Sequence, residues 1–125
     1  MMVTRSLVSV VDDDESVRES LPDLLTEFGY AVRAFSSADE FLMSDCVLQT
    51  RCLIVDVVMP GMTGLDLQRE LAIRGQEIPI VFITAVGDEA LRERMLRQGG
   101  AVECLFKPFS DTALLGALNT VFLRS

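Results

Sequence analysis

Several apolar segments of this sequence end in polar residues whose side chains suit the transfer of a phosphoryl group. These residues are Asp12, Asp13, Asp14, Asp56, Thr84 and Lys107. A carboxylate can act as a nucleophile or bind a hard divalent cation, a hydroxyl can bind a phosphate oxygen, and an ammonium group offsets negative charge. If the fold brings these residues together, they predict cation-assisted phosphoryl chemistry.

Carboxylates that lie close together need positive charge among them. Two carboxylates about 4 Å apart repel by roughly 4 kcal/mol at an effective dielectric constant of about 20. A fold that joins Asp12, Asp13 and Asp56 therefore loses stability unless a cation is bound. The chain has no histidine and no clustered cysteines, so its oxygen ligands favour Mg²⁺ or Mn²⁺. Lys107 supplies further positive charge.

Each polar residue also has a purely structural interpretation. Aspartates before a helix most often cap it and complement its dipole, and an aspartate after a strand most often forms a turn. A threonine at the end of a strand commonly bonds local backbone groups, and a lysine before a proline is commonly solvated. No single residue is therefore diagnostic, but their coincidence at the ends of strands favours a functional site.

Short apolar runs alternate with longer amphipathic stretches along the chain. The runs predict strands at residues 7–11, 31–35, 52–55, 78–83 and 102–106, with 31–35 at an edge of the sheet. Helices are predicted at residues 17–28, 37–42, 63–75, 88–98 and 110–122, and residues 44–51 are predicted to form a loop. Such alternation predicts a parallel sheet covered by helices on both faces. Ligands of such sheets bind at the carboxyl ends of the strands.

Helix boundaries and faces can be predicted in more detail. Ser37 and Glu40 have the spacing of a capping box, and Thr63 and Asp66 are predicted to cap the third helix. The apolar face of the last helix is predicted to consist of Leu114, Leu115, Leu118 and Phe122.

Composition narrows the range of partners. The 19 acidic and 11 basic residues give a formal net charge of -8, which argues against direct binding to nucleic acid or to an anionic membrane. The three cysteines are an odd, widely spaced set, which favours reduced thiols in a cytoplasmic protein over a disulfide framework or a zinc site. No apolar segment is long enough to cross a bilayer or to serve as a secretory signal.

Four short motifs surround the polar residues. They are Val11-Asp12-Asp13-Asp14, Leu53-Ile54-Val55-Asp56 followed by Met59-Pro60-Gly61 and Gly64, Ile83-Thr84-Ala85, and Lys107-Pro108-Phe109. Together they resemble the receiver domain of bacterial two-component response regulators over nearly the whole chain. The resemblance implies a flavodoxin-like, doubly wound (βα)5 fold of the α/β class, with a parallel five-stranded sheet of order 2-1-3-4-5. It also implies one receiver domain over residues 1–125.

The resemblance implies a role for each acidic residue. Asp56 is the phosphoacceptor, the nucleophile that becomes an aspartyl phosphate. Asp13, Asp56 and the backbone carbonyl of Val58 ligate Mg²⁺ or Mn²⁺ directly, and Asp12 acts through a water molecule. The domain is then no enzyme in the ordinary sense, because it catalyses only its own phosphorylation and dephosphorylation.

The resemblance also implies a set of switch residues. Thr84, followed by Ala85, hydrogen-bonds one phosphoryl oxygen, Lys107 pairs with another, and the peptide bond before Pro108 is cis. Receivers usually carry tyrosine or phenylalanine three residues before the lysine, where this chain has Cys104. A small buried thiol is the favoured interpretation of Cys104.

Two valines are predicted to prolong the life of the phosphoryl group. Val58 and Val86 lie two residues after Asp56 and Thr84, where they flank the path of the attacking water and offer it no hydrogen bond from a side chain. Phosphorylation is predicted to change the surface of residues 88–123. The reason is that Thr84 reaches the phosphoryl group only if the loop before the fourth helix moves inward.

The implied partners are proteins. They are a sensor histidine kinase or a phosphotransfer protein, an output domain outside this chain, and a second copy in a phosphorylation-dependent homodimer. Ser37-Ala38 and Phe41-Leu42 after the second strand resemble receivers that precede a helix-turn-helix DNA-binding domain, which implies control of transcription. The alternative is a stand-alone receiver that acts by protein contact.

Three other functions agree less well with the sequence. A flavin or nucleotide module needs a phosphate-cradling loop after the first strand, where this chain has three aspartates. A metal-dependent phosphatase or phosphotransferase needs a second aspartate two residues after its nucleophile, where this chain has Val58. A degenerate receiver would lack the nucleophile or the lysine, and both are present.

Overall fold

The computed structural model describes residues 5–85, 89–97 and 101–123. The strands are β1 (Leu7–Val11), β2 (Ala31–Phe35), β3 (Thr50–Asp56), β4 (Ile80–Thr84) and β5 (Ala101–Phe106). The helices are α1 (Glu15–Glu27), α2 (Ala38–Leu42), α3 (Gly64–Ile73), α4 (Glu89–Arg97) and α5 (Asp111–Leu123). The strands form one parallel sheet in the order β2-β1-β3-β4-β5, so the predicted α/β fold and its strand order are confirmed.

The sheet divides the apolar core into two clusters. Successive residues of β3 point to opposite faces, so Leu53 and Val55 join one cluster while Cys52 and Ile54 join the other. Residues of α2 and α3 cover the first cluster, and residues of α1 and α5 cover the second. A central strand such as β3 is buried on both faces, so its sequence is a continuous apolar run, and this run allowed the strand to be predicted.

The prediction for residues 44–51 was partly wrong. β3 begins at Thr50, which pairs with Leu7 of β1, and the register then shifts so that Cys52 pairs with Val8. The residue left over, Arg51, is exposed. A bulge of this kind places a charged side chain inside a strand, so the apolar run started two residues later than the strand itself.

Two of the predicted local features also differ in the structure. The capping box of Thr63 and Asp66 is present. Ser37 caps α2 by accepting a hydrogen bond from the backbone N–H of Glu40, but the Glu40 carboxylate turns to the Ser36 hydroxyl at 2.6 Å instead of completing the box. The buried face of α5 consists of Leu114, Ala117, Leu118 and Val121, while Leu115 and Phe122 are only partly buried.

The remaining boundaries agree with the sequence predictions to within a few residues. The predicted ends of the fourth helix, Asp88 and Gln98, lie outside the described residues. Within the described ranges, no helix combines the length and the apolar character that a bilayer crossing requires.

Two hydroxyl groups are buried where β3 begins. The Thr50 hydroxyl donates to the carbonyl of Cys46 at 2.7 Å, and its oxygen lies 2.7 Å from the Ser9 oxygen. Because Thr50 has only one hydroxyl proton, Ser9 must be the donor in the second bond. The pair fixes the start of β3 against β1 at the edge of the sheet opposite the carboxyl ends.

We predict that Thr50→Val lowers the free energy of unfolding by about 1–3 kcal/mol, because it leaves the buried Ser9 hydroxyl without its acceptor. Thr50→Ser keeps the hydroxyl and is the matched control, for which we expect a smaller loss. Adding Ser9→Ala to Thr50→Val should recover part of the loss. Urea denaturation measures all three variants, and equal stability of Thr50→Val and the wild type would contradict the prediction.

Candidate functional site

The parallel sheet brings the predicted site residues to one edge. Asp12 directly follows β1, Asp56 ends β3, Thr84 ends β4 and Lys107 directly follows β5. The central position of β1 and β3 in the strand order places Asp12 beside Asp56. The side chains come from four different strands, so their assembly depends on the register of the whole sheet.

The carboxylates of Asp12, Asp13 and Asp56 form a compact cluster. One carboxylate oxygen of each lies within 4.8 Å of the others. Asp12 and Asp56 are buried, with 0% and 7% of their surface exposed, whereas Asp13 is exposed. Three oxygen donors, two of them on the inner side and one facing solvent, match the donor set of a partly hydrated Mg²⁺. The residues present could therefore hold such an ion.

Lys107 lies between the two buried carboxylates. Its Nζ is 2.9 Å from Oδ2 of Asp12 and 2.9 Å from Oδ2 of Asp56. Burial raises the pKa of Asp12 and outweighs the hydrogen bonds from the Asp14 amide and from Lys107, which lower it. For Lys107, burial acts to lower the pKa, but the hydrogen bonds to Asp56 and Asp12 outweigh it and the pKa is raised. Lys107 is thus held in its charged form.

Backbone N–H groups occupy the remaining carboxylate oxygens. The N–H of Asp14 donates to Oδ1 of Asp12 at 2.9 Å, and the N–H of Val58 donates to Oδ1 of Asp56 at 3.0 Å. Each buried aspartate therefore accepts a hydrogen bond from a backbone N–H at one carboxylate oxygen and from Lys107 at the other. These four hydrogen bonds fix the orientation of both carboxylates.

The third aspartate of the acidic segment has a different task. Asp14 is the N-cap of α1, and its carboxylate accepts hydrogen bonds from the backbone N–H and the hydroxyl of Ser16 at 2.9 and 2.8 Å. These bonds lower the pKa of Asp14. Within this segment, Asp12 and Asp13 therefore belong to the acidic cluster, whereas Asp14 caps a helix.

The predicted switch residues lie around the end of β4. Thr84 is fully buried, and its carbonyl accepts a hydrogen bond from the backbone N–H of Lys107 at 2.8 Å. Ala85 is exposed, and the peptide bond between Lys107 and Pro108 is cis. Val86 lies outside the described residues.

Cys104 and Val58 differ sharply in their surroundings. Cys104 is 3% exposed, lies beside Phe82 in the sheet register, and its burial raises the thiol pKa to about 11. It is thus a protonated apolar side chain of the core. Val58 is 60% exposed, so an apolar side chain stands in solvent next to Asp56.

Sequence reasoning missed two contributors to the site. The guanidinium of Arg18, in α1, donates a hydrogen bond to the backbone carbonyl of Asp12 at 2.9 Å. No motif or residue spacing in the sequence predicted this contact. Beside Lys107 lies an open groove of about 420 Å³ between α1 and the segment before α5. Its apolar lining consists of Val17, Leu21, Leu24, Pro108 and Phe109.

Gly64 was identified only as part of a motif, and the structure shows what it does. A Cβ atom at this position would lie 2.7 Å from the backbone oxygen of Asp56 and 3.0 Å from the Cα of Val57. The N–H of Gly64 also donates to the carbonyl of Val57 at 3.1 Å. The start of α3 is therefore packed directly on the backbone that carries Asp56.

Comparison with known sequences identifies relatives along most of the chain. Residues 8–119 match the sequence profile of the family described as the response regulator receiver domain. The chain is 44% identical over 115 residues to the response regulator protein TmoT of Ectopseudomonas mendocina, covering 92% of this chain and 52% of that protein. It is 41% identical over 118 residues to the transcriptional regulatory protein FixJ of Azorhizobium caulinodans, covering 94% and 56%. The chain thus spans about half the length of the curated relatives it matches.

Solved structures show the same fold. The response regulator StyR superposes with a TM-score of 0.85 at 45% identity, covering 96% of this chain and 61% of that one. The structure described as FixJ-N superposes with a TM-score of 0.84 at 34% identity, covering 98% of both chains.

We predict that Gly64→Ala lowers the free energy of unfolding by about 1–3 kcal/mol, because the added methyl group overlaps backbone atoms that cannot rotate away. Gly116→Ala is the matched control. Gly116 lies inside α5 with nothing within 4 Å of an added Cβ, so alanine there should raise stability by about 0.5–1 kcal/mol. Thermal or urea unfolding measures both variants. If the two substitutions change stability in the same direction, the close approach of α3 does not limit this site.

Proposed function

Because this chain belongs to the response-regulator receiver family, we propose that Asp56 accepts a phosphoryl group from a sensor histidine kinase or a phosphotransfer protein. One observation carries the proposal: the Asp56 carboxylate lies at the carboxyl edge of the sheet, beside two other carboxylates and in contact with Lys107. The transfer serves signal transduction through a phosphorelay. The domain acts on no other substrate.

The transfer step follows from the chemistry of the nucleophile. An Asp56 carboxylate oxygen forms a bond to phosphorus as the bond from phosphorus to the donor's imidazole nitrogen breaks, and the electron pair of that bond stays on the imidazole. A carboxylate is a weak nucleophile, so the protein must contribute mainly by positioning it and by neutralising charge, and the hydrogen bond from the Val58 N–H helps to orient it. Lys107 then offsets part of the charge of about -1.5 to -2 that the phosphoryl group adds.

The acidic cluster would hold Mg²⁺ or Mn²⁺. Asp13, Asp56 and the backbone carbonyl of Val58 would be direct ligands, and Asp12 would act through water. When bound, the ion neutralises the charge that develops on the phosphoryl oxygens. The support for this assignment is the set of carboxylate oxygens within 4.8 Å of one another.

The apolar groove beside Lys107 is where the phosphodonor protein would approach. It opens between α1 and the segment before α5, and the same Lys107 that lines it contacts Asp56. An apolar groove next to a charged reaction centre offers binding energy that is independent of the chemistry, which helps to position a donor for transfer.

The output of the domain is proposed to pass through Thr84. Thr84 and Lys107 would each contact a phosphoryl oxygen, and the chain that follows Thr84 through Ala85 leads to α4. Movement there would alter the surface of residues 88–123, for an output domain or for a second copy of the chain. FixJ of Azorhizobium caulinodans and TdiR of Thauera aromatica are named transcriptional regulatory proteins, which supports control of transcription. We extend the proposal to a cytoplasmic protein whose output domain is a helix-turn-helix DNA-binding domain outside residues 1–125.

Val58 and Val86 are proposed to slow the loss of the phosphoryl group. Val58 stands exposed next to Asp56 and offers no side-chain hydrogen bond to an attacking water. A flavin or nucleotide module finds no support at this edge of the sheet, because Asp12 and Asp13 stand where a phosphate-binding loop would have to lie.

We predict that Asp56→Asn abolishes acid-stable, hydroxylamine-sensitive labelling by acetyl phosphate in the presence of Mg²⁺, because the amide cannot form an acyl phosphate. Asp45→Asn is the matched control. Asp45 is an exposed aspartate ahead of β3, at the other end of the strand, and its substitution should leave labelling unchanged. Labelling of Asp56→Asn at the wild-type level would refute the assignment of the phosphoacceptor.

We predict that Mg²⁺ raises the melting temperature at constant ionic strength and that Asp13→Asn reduces this rise. An ion present at about 100 times its dissociation constant stabilises the native state by about 2.7 kcal/mol. Asp14→Asn removes the same charge from the neighbouring residue and keeps an N-cap side chain, so it should retain most of the rise. A melting temperature that saturating Mg²⁺ leaves unchanged in the wild type would contradict the metal site.

A further inference from the structure

At the outer edge of β5, side chains make the hydrogen bonds of the backbone N–H and C=O groups of Cys104. β5 pairs with β4 on one side and is the last strand of the described sheet on the other. The N–H of Lys107 donates to the carbonyl of Thr84. Because backbone groups of successive residues in a strand point alternately to its two sides, the N–H and C=O of Cys104 point away from β4.

Two charged residues form hydrogen bonds with these two backbone groups of Cys104. The Glu103 carboxylate accepts from the Cys104 N–H at 2.9 Å. The guanidinium Nε of Arg92, from α4, donates to the Cys104 carbonyl at 3.3 Å. The same guanidinium donates through its NH2 group to Oε1 of Glu103 at 2.6 Å. The planar fork of Arg92 thus spans a carboxylate and a carbonyl on the neighbouring strand.

This contact differs from the other ion pairs of α4. Arg92 and Glu103 have side chains that are 32% and 31% exposed, whereas Arg97 and Glu93 are 75% and 60% exposed and lie on the same helix. The hydrogen bond to Glu103 raises the pKa of Arg92, in agreement with a stable charged contact. The Arg92 contact joins α4 to the outer edge of β5.

We propose that Arg92 and Glu103 form a latch that holds α4 against the outer edge of β5 and sets how readily α4 moves. The latch closes on the backbone N–H and C=O of Cys104, the position at which receivers usually carry an aromatic residue. The latch braces α4 from the outer edge of the strand. The regulatory part of this inference, that the latch opposes the movement of α4 on phosphorylation, rests on the proposed function.

Amide hydrogen exchange tests the latch without any phosphorylation. In the metal-free chain, Glu103→Ala should speed exchange at the amides of residues 93–97 and of Cys104 by about two- to fivefold, the range expected from the loss of a partly exposed ion pair. Arg92→Met, which keeps the apolar part of the side chain, should do the same at Cys104. Glu93→Ala breaks the ion pair between Glu93 and Arg97, which does not involve Arg92, and should leave the Cys104 amide unchanged. Wild-type exchange rates across residues 93–97 in Glu103→Ala would overturn the latch.

A second measurement tests the regulatory part. Saturation with beryllofluoride, a phosphoryl analogue, should speed exchange in residues 93–97 of the wild type, and the further increase in Glu103→Ala should be smaller. An equal increase in both proteins would overturn the regulatory role. Failure of beryllofluoride to bind would overturn the proposed function and would leave the result from the metal-free chain standing, so the two failures are distinguishable.

Discussion

The crowding of negative charge at one end of the sheet is the constraint on which the rest of this structure depends. Three carboxylates, of Asp12, Asp13 and Asp56, and the single ammonium group of Lys107 leave a formal charge of -2 (three negative, one positive) in a partly buried space. Leaving such buried charges unpaired costs about 3–5 kcal/mol. Lys107 satisfies the two inner carboxylates at once, and the remaining charge corresponds to one divalent cation.

The backbone around the site is arranged so that this charge is held at fixed positions. The N–H groups of Asp14 and Val58 each hold one carboxylate oxygen, and α3 packs on the Asp56 backbone through a glycine. The first turn of α3 meets part of its own need for hydrogen bonds through the box of Thr63 and Asp66. The first turn of α3 is thus fixed by its own residues, separately from the hydrogen bond that the Val58 N–H donates to Asp56.

Sequence reasoning predicted the elements whose patterns are local. Strands buried on both faces and the caps at Ser37 and Thr63 are visible as residue types at short spacings. The cluster at the strand ends joins distant segments, and it was predictable because the carboxyl ends of parallel strands meet at one edge of the sheet. Individual side-chain contacts were not predictable in this way. The Arg18 contact to the Asp12 carbonyl, the Arg92 contact to β5 and the turn of the Glu40 carboxylate toward Ser36 each depend on side-chain directions that only the folded chain determines. The start of β3 was misplaced for a related reason, since a charged residue inside a strand breaks the apolar pattern without breaking the strand.

The bulge at Arg51 has a consequence for how this chain could change length during evolution. Beyond the bulge, alternate residues of β3 enter opposite cores, so a single inserted or deleted residue between Cys52 and Asp56 would exchange the two cores and carry Asp56 to the wrong face. Ahead of it, one unpaired residue is already accommodated between Thr50 and Cys52. Insertions and deletions should therefore accumulate among relatives in the segment that precedes β3, while the six-residue interval from Arg51 to Asp56 should keep a constant length.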